Sequence, residues 1–173
     1  MTRIIINYFF LFFTLIGSAQ EKNVFDVARK GTLVEMKAIY DKNPELVNTV
    51  DDRKSSPLIL ACYKNNEEVA LFLADKVKDI NYNSVMGTAL MATIMSGNNK
   101  ILEKLISQKA NLNLSDSQGK TALIYATFFN KNEIVKTLIK AGADITSKDN
   151  DGKKALDFAT FNKNTELIIL LNK

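Results

Sequence analysis

The side chains that carry out most acid–base and metal chemistry are scarce in this chain. Its 173 residues include no histidine and one cysteine, Cys62. Without an imidazole the commonest general base and the commonest metal ligand are both missing. No Ser-His-Asp or Cys-His pair can form, a classical zinc site lacks its donors, and a lone cysteine builds no internal disulfide framework. There is no G-x-x-x-x-G-K-[ST] phosphate loop. The carboxylates are the remaining chemistry. Asp149-Asn150-Asp151-Gly152 resembles part of a calcium loop, but aligning Gly152 with the loop glycine puts Ser147 and Phe158 where an acid and a glutamate are required. A turn explains that segment, and Asp51-Asp52 takes the same reading. Cys62 follows the small residue Ala61, a setting in which an unpaired cysteine acts as a buried hydrophobe. The expectation is therefore no catalytic residue, no cofactor and no metal.

The elements that carry these residues are globular in composition. Apolar residues make up 46% and charged residues 24%, with a net charge of +4. The lysines are spread along the whole sequence without a basic block, which fits solvated helix faces and excludes a nucleic-acid footprint.

One stretch, Asp116 to Lys148, sets the organisation. It opens with a turn (Asp116, Gly119), continues with a short apolar helix (Leu123, Ile124, Tyr125, Ala126), adds a second helix (Glu133 to Lys140), and stops at Gly142. The same order begins again at Asp149, 33 positions on. A period of that size is the signature of stacked repeats. The stretch resembles the ankyrin repeat. Asp116, Gly119, Thr121, Leu123 and Ala126 match the first part of that family's pattern, and Glu133, Ile134, Val135, Leu138 and Ala141-Gly142-Ala143-Asp144 match the second. Ala122 and Ile124 depart from it, standing where the family has Pro and His. Earlier copies carry Ser56-Pro57-Leu58 with Ala61, and Thr88-Ala89-Leu90 with Thr93. The turn before Thr88 is one residue short. The resemblance implies an all-α ankyrin repeat solenoid of about five helix-turn-helix repeats joined by short hairpin-like turns, near 21–50, 51–83, 84–115, 116–148 and 149–173. The first repeat, with Val24, Phe25 and Ala28 inward and Gly31 ending its inner helix, reads as a cap. In the last, Ile169 and Leu170 leave two readings, a worn cap or an apolar end that packs on a partner or a second copy.

Residues 1–19 differ from the rest. Arg3 precedes an apolar run from Ile4 to Ile16, and Gly17-Ser18-Ala19 offers small residues to a signal peptidase. The run is short of the ~20 residues that span a bilayer. A secretory signal cleaved between Ala19 and Gln20 is expected, with an uncleaved anchor as the alternative. Either places residues 20–173, the repeat domain, in the periplasm or outside the cell, with no stable membrane span after cleavage.

The family resemblance implies a non-catalytic module that holds another protein in a concave groove. It also implies that the seventh residue after the motif threonine, on the inner helix, points into that groove. Counting from Ser56, Thr88, Thr121 and Lys154 gives Tyr63, Met95, Phe128 and Phe161, and the first repeat gives Arg29. Phe129 extends the apolar set, and Lys30 joins Arg29 as charge at one end. Aromatic and Met side chains are what protein interfaces concentrate at their centres. An apolar stripe at repeat spacing is also what stacking produces, so these side chains read either as groove or as core. The alternative function is an accessory subunit of an envelope enzyme, or an enzyme without a recognisable motif.

Overall fold

The structure, a computed structural model, describes residues 22–172. The expected leader and its cleavage site lie outside the described residues. Among the described residues ten α-helices follow one another in five pairs: α1 (Val24–Lys30) and α2 (Leu33–Lys42), α3 (Pro57–Tyr63) and α4 (Glu67–Ala74), α5 (Ala89–Ser96) and α6 (Asn99–Ser107), α7 (Ala122–Phe128) and α8 (Asn132–Lys140), α9 (Ala155–Phe161) and α10 (Thr165–Leu171). Each odd-numbered helix packs on the next odd one and on its own partner, and among the even helices α2 packs on α4, α4 on α6 and α8 on α10. The result is the all-α repeat solenoid expected, with an inner row of α1, α3, α5, α7 and α9 and an outer row of the other five.

Three inner helices, α3, α5 and α7, begin where a hydroxyl satisfies a backbone amide that has no helical partner. Ser56 Oγ accepts from the Ile59 amide, Thr88 Oγ1 from Met91, and Thr121 Oγ1 from Ile124, at 3.3, 3.4 and 3.3 Å. In the last repeat the motif residue is Lys154, which has no such oxygen. There the Asp157 carboxylate accepts from the Lys154 amide at 2.7 Å, so the start is held from the other side. The small residues at the helix interfaces are fully enclosed: Ala61, Ala126 and Ala159 are 0% exposed. Thr93 takes the alanine place in α5, and its hydroxyl donates back to the Ala89 carbonyl at 2.9 Å, so the buried polar group is satisfied. Cys62 is buried as expected, and burial pushes its thiol up to about 12. That removes it as a nucleophile near neutral pH.

The turns between repeats are fingers closed by aspartate. Asp51 Oδ1 accepts the Arg53 and Ser55 amides, Asp116 Oδ1 those of Gln118 and Lys120, and Asp149 Oδ1 those of Asp151 and Lys153, all at 2.9–3.0 Å. Isolated bridges Ser115 to Thr121 and Lys148 to Lys154 close two of the fingers. The short one closes between Ser84 and Gly87, leaving Val85 and Met86 as its tip. Gly87, at φ +101°, lies so near Met91 that an added Cβ would fall 2.3 Å from the Met91 sulfur. One addition breaks the regular pattern: a 3₁₀ turn at Pro44–Asn48 tucks Val47 into the core after α2.

A second series of contacts ties neighbouring repeats through the loops that follow the outer helices. Asn48 Oδ1 accepts from the Lys78 amide, Asn81 Oδ1 from Asn111, and Asn113 Oδ1 from Asp144, at 2.9, 2.7 and 2.9 Å. The three asparagines recur at repeat spacing, so each repeat's end loop is pinned by the one before it.

Candidate protein-binding face

The expected stripe lies at the surface. Tyr63 is 51% exposed, Met95 46%, Phe128 43%, Phe129 38% and Phe161 80%. Tyr63, Phe128 and Phe161 each end an inner helix, Met95 is next to last in its own, and Phe129 caps α7. A core role would require burial, so the exposure takes these five side chains out of the packed interior.

The rings are only partly gathered. Phe128 meets Phe129 edge-on at 4.9 Å and Phe158 of the next repeat at 5.7 Å, while Phe129 stacks on Tyr125 at 6.2 Å. This cluster of four rings covers the inner face of the last two repeats. Tyr63 stands two repeats away with the Lys64 ammonium 5.4 Å over its ring. Phe161 lies outside the ring cluster.

Tyr125 and Phe158 were not among the expected site residues. They sit three residues before Phe128 and Phe161, on the same side of their helices. That spacing was present in the sequence and would have found them. The apolar finger tip, Val85 and Met86 at 66% and 75% exposed, was also missed. The shortened turn was legible, but not that shortening leaves apolar residues at its apex.

At the other end, Arg29 is half-buried. Its guanidinium lies 2.7 Å from Asp51 Oδ2 and 3.4 Å from Asp26 Oδ1. Its charge holds the first inner helix to the second repeat's finger, which leaves exposed Lys30 as the free-standing cation of the expected pair.

Nothing in this face resembles a reaction centre. A depression of ≈ 630 Å³ lies beside α1, lined by Lys22, Asp26, Lys30 and Glu35 among others. Its two acids are engaged. Asp26 faces Arg29, and Glu35 accepts from the Thr32 amide and pairs with Lys22. The Lys22 hydrogen bond holds the Glu35 carboxyl below its usual range, so it is not poised as an acid. Among the described residues no group of His, Cys, Asp or Glu is arranged to hold a metal ion, and no helix is long and apolar enough to cross a membrane.

Residues 90–173 match the family model described as Ankyrin repeats (3 copies). These residues are ankyrin repeats. Among characterised relatives it is similar to Ankyrin repeat and SAM domain-containing protein 6 of Rattus norvegicus, 33% identical over 101 residues, 57% of this chain and 11% of that protein. The Mus musculus protein of the same name is 32% identical over 101 residues, again 57% of this chain and 11% of the relative. Probable E3 ubiquitin-protein ligase XBOS32 of Oryza sativa subsp. japonica is 29% identical over 112 residues, 61% of this chain and 23% of that protein. The chain thus spans about a tenth of the length of the first two relatives. Ankyrin repeats indicate a protein–protein interaction module, and the fold is in general non-catalytic.

Proposed function

We propose that this ankyrin repeat chain works outside the cytoplasm as a non-catalytic binding module. It holds another protein against the exposed face of its inner helices, through Tyr63, Met95, Phe128, Phe129 and Phe161, with Lys30 and Arg29 at the first-repeat end. The observation that carries this is the placement of large apolar side chains, 38% to 80% exposed, on four successive inner helices and the cap residue of one. Exposed aromatic groups of this kind act as anchors when a partner removes them from water. Extracytoplasmic location rests on the pattern of residues 1–19 alone, and mass analysis of the amino terminus tests it: mature protein is expected to begin at Gln20.

The test of the binding face is Phe128→Ala combined with Phe161→Ala, used beside the unaltered chain to capture partners from envelope extracts. Loss of a captured protein with the unfolding midpoint retained supports the face. Capture left unchanged removes these residues from the interface. A role as an accessory subunit of an enzyme is the second reading, favoured by the similarity to a protein named as a probable ubiquitin ligase. It is distinguished by whether the captured protein is itself an enzyme.

A further inference from the structure

Apolar anchors and cations share one edge of the stack. Tyr63, Met95, Phe128, Phe129 and Phe161 all stand at or beside the C-terminal ends of their inner helices. The segments that turn from inner to outer helix at this edge add Lys64, Lys131 and Lys163 and contain no acid. The Lys64 ammonium lies over the Tyr63 ring. Lys131 Nζ lies 3.4 Å from the place that a Cβ on Gly97 would take, two residues past Met95. Lys163 follows Phe161 by two residues. It is held at φ 54°, in the column where repeats two to four have Asn65, Gly97 and Asn130. A lysine there costs backbone strain that glycine would avoid.

The local duties open to these ammonium groups are carried by other side chains. Carbonyls at two inner-helix ends are met by asparagines of the next repeat. Asn66 Nδ2 donates to the Ala28 and Gly31 carbonyls at 3.2 and 2.9 Å, and Asn162 Nδ2 to those of Thr127 and Phe128 at 3.1 and 3.0 Å. Glutamates in the first turns of the outer helices are engaged elsewhere. Glu67 accepts from Asn98 and Lys100 at 2.9 and 3.1 Å, Glu133 pairs with Lys136 at 2.8 Å, and Glu166 pairs with the same lysine at 2.6 Å. The inner helices carry two acids. Asp26 faces Arg29, and Asp157 accepts the Lys154 amide. Among the described residues no carboxylate lies within ion-pair distance of Lys64, Lys131 or Lys163. Carboxylates are thus paired with cations of the outer row, and the lysines beside the apolar anchors are left for a partner.

We infer that the protein held on this face presents an acidic segment, in which carboxylates stand among apolar side chains. The apolar groups cover the row from Tyr63 to Phe161, and the carboxylates meet Lys64, Lys131 and Lys163. This rests on the binding face proposed above and names the chemistry of its occupant. The rings supply the anchoring, while the lysines select: opposite charge steers a partner on, and a basic segment would set like charges against the edge.

Selection of short random peptides, displayed on phage, against the unaltered chain tests it. The recovered peptides are expected to be enriched in Asp and Glu beside Phe, Leu or Ile. One of them, synthesised with a fluorescent label, should lose about tenfold or more in affinity when its acids become Asn and Gln. The combined variant Lys64→Gln, Lys131→Gln, Lys163→Gln should show a similar loss. Raising salt from about 0.05 M to about 0.5 M should weaken the acidic peptide on the unaltered chain and change little on that variant. Unfolding midpoints check that folding is retained, and Lys163→Gly alone, which relieves strain, should still reduce affinity. Enrichment of apolar peptides without acids, or equal binding by the lysine variant, overturns the inference and leaves the face standing. Acidic peptides that bind the Phe128→Ala, Phe161→Ala chain undiminished remove the face itself. Enrichment of no peptide, or preference for phosphatidylglycerol vesicles over every acidic peptide, also overturns the inference.

Discussion

The Tyr125 hydroxyl donates a hydrogen bond to Asp116 Oδ2 at 2.5 Å, tying an inner helix to the finger that precedes it. The finger aspartates of the three regular turns have one oxygen committed to backbone amides and one left over. Asp51 gives its second oxygen to Arg29 and Asp116 to Tyr125, but buried Asp149 finds only the Lys120 ammonium, at 3.8 Å and beyond hydrogen-bond reach. The residue one repeat after Tyr125 is Phe158, the same ring without the hydroxyl. Phe158→Tyr is therefore expected to stabilise the protein by about 1 kcal/mol, because a donor meets a buried charged acceptor. Tyr125→Phe should cost about 1–3 kcal/mol for the converse reason. Urea unfolding midpoints of the two variants, moving in opposite directions, check the pair.

Burial, and then the neighbouring Asp116 carboxylate, push the Tyr125 phenol up to about 12. Its ordinary value is about 10. The folded state thus holds this proton more tightly than the unfolded one. The associated stability is fully present below about pH 10 and is lost as pH rises towards 12. In Asp116→Asn the Tyr125 transition should move down yet stay above that of a free phenol, since burial is the larger cause. Tyr125 ring resonances followed by NMR from neutral to alkaline pH report this directly; titration of Tyr125 near pH 10 would contradict it.

Three lysines occupy left-handed backbone positions that other repeats give to glycine or asparagine. Lys54 has φ 60°, Lys109 φ 60° and Lys163 φ 54°. The equivalents of Lys54 are Gly119 and Gly152, that of Lys109 is Gly142, and those of Lys163 are Asn65, Gly97 and Asn130. A left-handed residue with a Cβ costs roughly 1–2 kcal/mol, while glycine loses roughly 0.5–1 kcal/mol of chain entropy. The first effect is the larger. Lys109→Gly and Lys163→Gly should each stabilise by about 0.5–1 kcal/mol, read as raised unfolding midpoints.

Gly119 and Gly152 hold the same place in successive fingers, at φ +75° and +76°. A Cβ on Gly119 would lie 2.5 Å from Asn150 Oδ1 and 2.8 Å from the Asn150 amide nitrogen, whereas nothing lies within 4 Å of one on Gly152. Gly152→Ala should cost only the backbone term, about 1 kcal/mol. Gly119→Ala adds an overlap with backbone and should cost at least about 1 kcal/mol more. Equal costs for the two substitutions would show that the fifth finger does not stack on the fourth.

The repeats were legible because their signals are local and periodic. Thr88, Thr121 and their downstream apolar residues announce a capped inner helix without reference to anything distant, and the 33-residue period fixes how helices pair. The seventh position after each motif residue was likewise readable, and the structure exposes those side chains. What escaped were contacts between repeats that depend on one residue's particular chemistry. No local pattern marks Arg29 as the partner of Asp51, or Tyr125 as the partner of Asp116. The 3₁₀ turn at Pro44–Asn48 escaped because it is an insertion outside the repeating register. The aromatic cluster around Phe128 was half seen, since counting one position per repeat overlooks the residue one turn earlier on the same face.

The short finger has a kinetic consequence. Its amides are closed on themselves, with Ser84 N donating to the Gly87 carbonyl at 3.1 Å and Gly87 N to the Ser84 carbonyl at 3.0 Å. By contrast the Asn150 amide of the last finger donates to Gln118 of the finger before it, at 3.0 Å. Ser84 and Gly87 can exchange their protons with solvent through a local opening that leaves both neighbouring fingers in place, whereas exchange at Asn150 requires two fingers to part. Substitutions that stabilise the last two repeats should slow deuterium uptake at Asn150 and leave the rates at the Ser84 and Gly87 amides where they were.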